Sequence, residues 1–228
     1  SFSPVEDMSI AEYHWSLIAR PPGSTAVVQD ADLAEAGLMA DLAGDYTVEL
    51  FVVDSEGVRS VSPAILQFRA VPKDAVHVQL TWDHPNADLD LHFIRANAAN
   101  PDDPFAAFDL SFDAYFSNRF PDDWYDEQRQ HPRLDIDDQR GFGPENINIE
   151  EPAEDTFQAW VHYWNDNSDS VQPEPTEAVL RVYIHGLLTH EAVHWFDSDQ
   201  VMWKAIQMDW PDLNFRDLNE SFPYERPF

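Results

Sequence analysis

Apolar and polar residues alternate with a period of two through most of this chain of 228 residues. Tyr13, Trp15 and Leu17, for example, alternate with polar neighbours. Such alternation is typical of β-strands, whose successive side chains point to opposite faces of a sheet. No segment shows a convincing helical period, and Pro, Asn and Asp separate the alternating runs more often than Gly does. The pattern predicts an all-β fold in which most sheets have one buried and one solvated face.

The alternating runs fall into two groups, separated by Val71-Pro72-Lys73-Asp74. Proline interrupts a strand because it cannot donate a hydrogen bond to a neighbouring strand. We therefore predict two β-sandwich modules, over residues 1–72 and 73–228. In the second module we predict strands at about 76–82, 88–93, 146–150, 156–164, 177–185, 187–196 and 201–209.

Residues 96–133 show no sustained period and contain turn-forming clusters such as Asn100-Pro101-Asp102-Asp103-Pro104. We predict a long loop here, and loops of this length in a compact domain are usually functional or mobile. A spacer rich in Asn, Ser and Pro at 165–175 separates two of the predicted strands.

The chain carries 43 acidic and 13 basic side chains, which gives a formal net charge of −30. Its 43% content of apolar residues is too high for a disordered acidic tail, so the acidity belongs to a folded surface. A surface this negative argues against binding to nucleic acids or anionic lipids and favours cations. Two explanations remain open: a solubilising surface suited to a salty medium, or a subset of carboxylates that binds a divalent metal.

The chain has no cysteine, which excludes disulfides, thiolate metal sites and a cysteine nucleophile. No run of 18 or more apolar residues is present, so we predict no transmembrane segment in this sequence. Because the chain begins with Ser1 rather than Met, we expect a mature product or an excised fragment, with any signal peptide or lipid anchor upstream.

The first module contains Tyr13-His14-Trp15-Ser16-Leu17, Pro22-Gly23-Ser24, Asp41-Leu42-Ala43-Gly44-Asp45-Tyr46-Thr47-Val48 and Val52-Val53-Asp54-Ser55-Glu56-Gly57. On these residues, the segment from Tyr13 to about Val71 resembles the Ig-like PKD domain of secreted bacterial proteins. The resemblance implies an Ig-like sandwich centred on Trp15, with a role as a spacer or in adhesive display.

Five ordered blocks mark the second module: Leu80-Thr81-Trp82-Asp83, Asp88-Leu89-Asp90-Leu91-His92, Leu134-Asp135-Ile136-Asp137-Asp138, Gly141-Phe142-Gly143-Pro144-Glu145-Asn146-Ile147 and Val161-His162-Tyr163-Trp164. On these blocks, the chain from about Ala75 onward resembles the YfaP-like secreted β-sandwich domain, a family of largely uncharacterised function often found in predicted bacterial lipoproteins. The resemblance implies a secreted, periplasmic or cell-surface location. We expect a larger, jelly-roll-like sandwich with a long loop.

Two of these blocks concentrate carboxylates. Asp88, Asp90 and His92 would share one face of a strand. A second cluster at Asp135, Asp137 and Asp138 could face them, with Glu145 as a further ligand after a flexible Gly-x-Gly turn. Calcium takes six to eight oxygen ligands, so we predict a calcium site built from Asp88, Asp90, Asp135, Asp137, Asp138 and Glu145. The alternative is a solvated acidic edge without a metal.

His190-Glu191-Ala192-Val193-His194 matches the H-E-x-x-H motif. On a helix, this spacing places two histidines on one face to bind zinc, with the glutamate as general base. On a strand over 187–196, the two histidines would share a face with Glu191 opposite, and the match would be accidental. A zinc metallopeptidase is therefore kept as an alternative.

The tryptophans at 160, 164, 195, 203 and 210 have strand spacing, which suits core packing but would also suit stacking against a carbohydrate. From the sequence, we predict a non-catalytic secreted or cell-envelope module with a binding, adhesion or structural role. Calcium would rigidify its second domain and hold the 96–133 loop in place. The expected partners are divalent cations and a protein or carbohydrate surface ligand.

Overall fold

Strands make up nearly all of the regular structure, which confirms the prediction of an all-β sandwich fold. A computed structural model describes residues 9–98, 106–167 and 174–224. The chain divides into two compact units, Ser1–Val71 and Pro72–Phe228. The division lies one residue before the boundary expected from the sequence.

The described part of the first unit, from residue 9 onward, contains five strands in antiparallel pairings. Three of them form a sheet in the order β1-β4-β5, and two short strands, β2 and β3, form a separate ribbon. The strands are β1 (Ile10–Ala19), β2 (Val28–Gln29), β3 (Gly37–Leu38), β4 (Gly44–Asp54) and β5 (Ala64–Ala70).

Among the described residues of this unit, Tyr46 on the central strand β4, rather than Trp15, is the fully buried aromatic residue. Its hydroxyl group accepts a hydrogen bond from the Leu42 N–H (3.1 Å) and lies 3.0 Å from Asp41 Oδ1, which accepts in turn. Trp15 is half-buried and donates from Nε1 to the Leu33 carbonyl oxygen at 2.9 Å. The expectation that Trp15 fills the centre is wrong because its strand, β1, lies at the edge of the sheet.

The second unit is a sandwich of two five-stranded antiparallel sheets. We call them sheet I, in the order β13-β12-β6-β10-β9, and sheet II, in the order β15-β14-β11-β7-β8. The strands are β6 (Val76–Trp82), β7 (Asp88–Arg95), β8 (Asp113–Ala114), β9 (Arg133–Ile136), β10 (Glu145–Ile149), β11 (Asp155–Asn165), β12 (Thr176–Ile184), β13 (Leu187–Phe196), β14 (Val201–Trp210) and β15 (Asn214–Pro223).

Alternate residues of the central strands fill the space between the two sheets. Leu80 from sheet I and Leu89, Leu91 and Phe157 from sheet II are each fully buried in one cluster. Burial of side chains of this size contributes about 1.5–3 kcal/mol each. The opposite face of β7 is therefore free to carry Asp88 and Asp90.

The predicted loop at 96–133 contains more structure than its sequence pattern indicates. It includes the two-residue strand β8 and a short 3-10 helix, Gln128–Gln130, and Trp124 within it is buried. Strands this short give no readable alternation. The cluster Asn100–Pro104 lies outside the described residues, as does the 168–173 part of the predicted spacer. None of the described helical residues forms a helix long and apolar enough to cross a membrane.

Candidate metal centre

Three carboxylates from separate segments of the second unit meet beside β7. Asp90 lies on β7, Glu145 begins β10, and Asp137 follows the end of β9. One carboxylate oxygen from each lies within 4.8 Å of the others. Glu145 is fully buried, Asp90 is 6% exposed and Asp137 is half-buried. We call these three residues the acidic cluster.

Glu145 reaches this position because one edge of β7 is incomplete. On the side away from β11, β8 pairs only with Phe93 and Ile94, and no described strand pairs with the rest of that edge. The Glu145 Oε2 atom accepts a 2.6 Å hydrogen bond from the Leu91 N–H of β7. Its Oε1 atom is buried and makes no hydrogen bond with any described residue. A buried carboxylate oxygen without a partner is costly unless a proton or a cation satisfies it.

A β-bulge decides which aspartate of the second acidic block joins the cluster. The pairing of β9 with β10 runs through Leu134 and Ile136 but skips Asp135. In a regular strand Asp135 and Asp137 would share a face, and an extra residue reverses the alternation beyond it. Asp137 consequently faces the cluster.

Asp135 points away from the acidic cluster, contrary to the expectation from the sequence. Its side chain is 41% exposed and accepts hydrogen bonds from Arg133 Nε (2.9 Å) and Asn148 Nδ2 (2.6 Å). Both of its oxygens therefore have partners on the outer surface of sheet I.

Asp138 also stays outside the cluster and instead organises the loop that leads into β10. Its carboxylate accepts hydrogen bonds from the backbone N–H groups of Arg140 (3.2 Å) and Gly143 (3.1 Å). Gly143 has a φ of +80°, and a Cβ atom there would lie 3.0 Å from the Leu80 carbonyl oxygen. The loop therefore requires glycine at this position.

The remaining predicted ligand, Asp88, lies next to the cluster. Its Oδ1 atom is buried without a hydrogen-bond partner in the described part of the chain. Burial, followed by repulsion from Asp90, Asp137 and Asp138, raises the pKa of Asp88 to about 8. Asp88 is therefore available as a further ligand once it loses its proton.

Burial and neighbouring negative charges also raise the pKa of Glu145. Its pKa is well above the ordinary value, first because the group is buried and then because Asp90 is negatively charged nearby. The hydrogen bond from Leu91 acts in the opposite direction, and Asp137 adds to the repulsion. Closely spaced carboxylates in a buried site cannot all be ionised at once without a cation. At neutral pH the acidic cluster therefore holds either protons or a cation.

The ligand chemistry of the cluster suits a hard cation. Carboxylate oxygens are the usual ligands of calcium and magnesium. Two oxygens of Asp90, two of Asp137 and the free Oε1 of Glu145 make five possible donors. Calcium tolerates irregular geometry and prefers six to eight oxygens, whereas magnesium requires a near-ideal octahedron. Calcium is the better fit to three carboxylates of mixed exposure.

A cavity of about 270 Å³ opens beside the cluster. Asp90 and Asp137 line one part of it, and the rings of Phe108, Phe116 and Trp164 line another. His162 also lines the cavity, and no sequence pattern pointed to this role. Its involvement follows from strand register, since His162 on β11 lies directly opposite Asp90 on β7.

His92, which shares its strand face with the aspartates, makes a separate buried pair. Its Nδ1 atom lies 2.6 Å from Asp113 Oδ2, and both side chains are fully buried. The His92 ring stacks on Tyr115, with ring centroids 5.4 Å apart. This pair fixes β8 and the following loop against β7.

The H-E-x-x-H match lies on strand β13, not on a helix. His190 contacts Asp217 at 2.7 Å and stacks on Phe215, and His194 stacks on Trp203. Glu191 points to the other face of the strand, in the direction opposite to both histidines. The helical geometry that a zinc peptidase needs is therefore not present at these residues.

We expect Glu191→Gln to change neither zinc content nor thermal stability appreciably. Glu191 makes a partly exposed 2.8 Å ion pair with Arg181, and such pairs contribute little to stability. Elemental analysis and thermal melts of wild type and variant would check this. Stoichiometric zinc in the wild-type protein, or a peptidase activity that Glu191→Gln abolishes, would contradict the strand-based interpretation of the motif.

The five tryptophans with strand spacing have different environments. Trp160 and Trp203 are fully buried in the sandwich, and Trp210 is half-buried. Trp195 is 53% exposed on β13, and Trp164 lines the cavity. Of these five tryptophans, Trp164 is the one that lines the cavity beside the acidic cluster.

Comparisons of the chain with protein-family models, with curated proteins and with solved structures found no match. The geometry of the acidic cluster and of the adjoining cavity is therefore the basis for assigning a function.

Proposed function

We propose that this protein is a calcium-stabilised, non-catalytic β-sandwich module of a secreted or cell-envelope protein, with a binding, adhesion or structural role. The observation that carries the calcium site is Glu145, a fully buried carboxylate whose Oε1 atom has no partner among the described residues and which has an oxygen within 4.8 Å of oxygens of Asp90 and Asp137. The resemblance of the two modules to PKD and YfaP-like domains supports the extracellular role.

The charge around the cluster supports a bound cation. No arginine or lysine of the described chain forms an ion pair with Asp90, Asp137 or Glu145. His162 is also close to the cluster, since its Nδ1 atom lies 3.6 Å from Asp90 Oδ2. Unpaired buried charges are strongly destabilising, so a divalent cation would remove a large unfavourable contribution to the free energy of folding.

A calcium ion at this position would also join elements that are distant in the sequence. It would link β7 of sheet II to β10 and the β9 terminus of sheet I. Phe108 and Phe116 of the long loop line the cavity next to it. We therefore expect calcium to stabilise the sandwich and the described part of this loop together.

Addition of calcium to the EDTA-treated protein is expected to raise the melting temperature by several degrees. Saturation at 100 times Kd stabilises by about 2.7 kcal/mol, and 1 kcal/mol corresponds to about 2–4 °C in a domain of this size. Asp137→Asn should greatly reduce the shift, and Asp135→Asn is the matched control because it makes the same change two residues away on the outer surface. Thermal melts in EDTA, Ca²⁺, Mg²⁺ and Zn²⁺ would measure the effect.

Two results would contradict the proposal of a calcium site. One is an unchanged melting temperature of the wild type in calcium and in EDTA. The other is equal loss of the calcium shift in the Asp135 and Asp137 variants, since only Asp137 faces the cluster. A shift with zinc but none with calcium would reject calcium as the ion.

A further inference from the structure

We propose that the cavity beside the acidic cluster binds an uncharged sugar unit of a glycan, with neighbouring hydroxyl groups on the calcium ion and the sugar ring against the aromatic wall. This inference rests on the proposed calcium site. It assigns the ligand class that the binding role leaves open.

The coordination arithmetic leaves room for an external ligand. Glu145 Oε2 already accepts from Leu91, so Asp90, Asp137 and Glu145 offer at most five free oxygens. Calcium takes six to eight, which leaves one to three positions for water or a ligand, or one position fewer where the buried Oδ1 atom of Asp88 also coordinates. Asp90 and Asp137 line the cavity, so the free positions are next to its open space.

The size and walls of the cavity suit a single sugar ring. Its volume of about 270 Å³ is just below the usual range of about 300–1,000 Å³ for pockets that hold drug-sized ligands. Phe108, Phe116 and Trp164 give the cavity an aromatic lining against which the C–H groups of a sugar can pack, and Gln139 supplies an amide. The cavity therefore combines apolar walls with a few polar groups, as small-molecule sites do.

Asp90 and Asp137 supply the acceptors that a sugar hydroxyl group needs. Ionised carboxylates only accept hydrogen bonds, and both residues line the cavity. A sugar hydroxyl group can donate to one of these carboxylate oxygens while its own oxygen coordinates calcium. His162 lies 3.6 Å from Asp90 and is fully buried, so it borders the site without being exposed to a ligand.

The charge of the site argues against an anionic ligand. Three ionised carboxylates with one Ca²⁺ leave the centre with a net negative charge, and the whole chain carries a formal charge of −30. A carboxylate or phosphate would be repelled by this field, and an ionised carboxylate could not donate a hydrogen bond to Asp90 or Asp137. An uncharged polyol meets both requirements.

The test is titration of the calcium-loaded protein with methyl α-D-mannopyranoside, methyl β-D-galactopyranoside, methyl α-D-glucopyranoside and D-glucuronate. Calorimetry and saturation-transfer NMR would detect binding, with EDTA-treated protein in parallel. We expect at least one neutral glycoside to bind in calcium, with at least tenfold weaker binding in EDTA and weaker binding of glucuronate. The calcium shift of the melting temperature is measured in the same samples.

Trp164→Leu should weaken glycoside binding at least tenfold, whereas Trp195→Leu, at an exposed tryptophan on β13, should not. No binding of any glycoside despite a normal calcium shift would overturn this inference and leave the calcium site standing. Binding that is equal in EDTA, or stronger for glucuronate, would overturn it as well. Absence of the calcium shift itself would reject the proposed function, and the inference with it.

Discussion

Replacement of Glu145 with glutamine is expected to stabilise the metal-free protein and at the same time to abolish its response to calcium. The amide oxygen of the new side chain could still accept from Leu91, and its NH₂ group could donate to Asp90 or Asp137. In EDTA at pH 8 the Glu145 carboxyl group must either keep a proton or lie buried as an unpaired charge, and removal of this unfavourable choice should contribute about 1–3 kcal/mol. In thermal melts, the variant should have a higher melting temperature than wild type in EDTA. Addition of calcium should then raise the melting temperature of wild type but not that of the variant.

The pH dependence of this effect has a definite sign. The pKa of Glu145 is raised in the folded state, so the folded protein binds more protons than the unfolded one above about pH 4.5. The stability of the metal-free wild type is therefore greatest below that value and falls as the pH rises through the folded-state pKa. The advantage of Glu145→Gln should grow from pH 5 to pH 8. Glu151→Gln, at an exposed ion pair with Arg129, is the control that should show no such trend.

A metal-free Glu145→Gln protein that is less stable than wild type at pH 8 would mean that the carboxylate has a partner or an environment other than the one described. A retained calcium shift would remove Glu145 from the ligand set. Either outcome would require a different explanation for its burial.

Replacement of Asp155 with alanine is expected to cause the largest loss of stability. Asp155 is nearly buried at the start of β11 and accepts hydrogen bonds from Arg95 (2.6 Å), Asn97 (2.6 Å), Tyr125 (2.8 Å) and the Thr156 N–H (2.8 Å). It connects β7, β11 and the long loop at one point. Removal of one partner from a buried ion pair costs about 3–5 kcal/mol, which corresponds to about 10 °C or more in the melting temperature.

The pH profile distinguishes this role from simple packing. Burial alone would raise the pKa of Asp155, but its hydrogen bonds with Arg95, Tyr125, Thr156 and Asn97 outweigh burial and lower the pKa below 3.8. A lowered pKa contributes stability above the unfolded value that is lost as the pH falls through the folded one. The difference between wild type and Asp155→Ala should therefore be full at pH 7 and shrink below about pH 4. Denaturant titrations at several pH values would measure it.

Asp45→Asn is a suitable control for this experiment. Asp45 also binds an arginine, Arg69, at 2.7 Å, but both side chains are 68% exposed. The substitution should change the melting temperature little. If Asp155→Ala is as mild as Asp45→Asn, the buried network does not hold the three segments together.

The alternating pattern predicted several long strands well because apolar residues recur at every second position in their sequences. The observed β13, Leu187–Phe196, has the predicted bounds, and β11 and β14 differ from prediction by one residue at most at each end. The strand β15, Asn214–Pro223, was missed because most of its residues are exposed on both faces. Edge strands of this kind lack the regular alternation of apolar and polar residues from which a strand is predicted.

Only part of the candidate site could be predicted from the sequence, for a related reason. Asp88 and Asp90 could be assigned to one face because β7 is regular in this stretch. Asp135 and Asp137 could not be separated, since the bulge between them depends on how β9 pairs with β10. Glu145 could be named as a ligand but not placed at the centre, because its position depends on the unpaired edge of β7.

Local periodicity and composition, which belong to the sequence by itself, determined the all-β class, the acidic surface and the two blocks in which the candidate ligands lie. The tertiary structure alone decided which carboxylates converge and that His162 and Trp164 lie beside them. It also placed the H-E-x-x-H residues on a strand, where their spacing does not give the zinc-binding geometry that it gives on a helix. The physical reason is that strand period is local, whereas register, bulges and edge pairing are set by residues far apart in the chain.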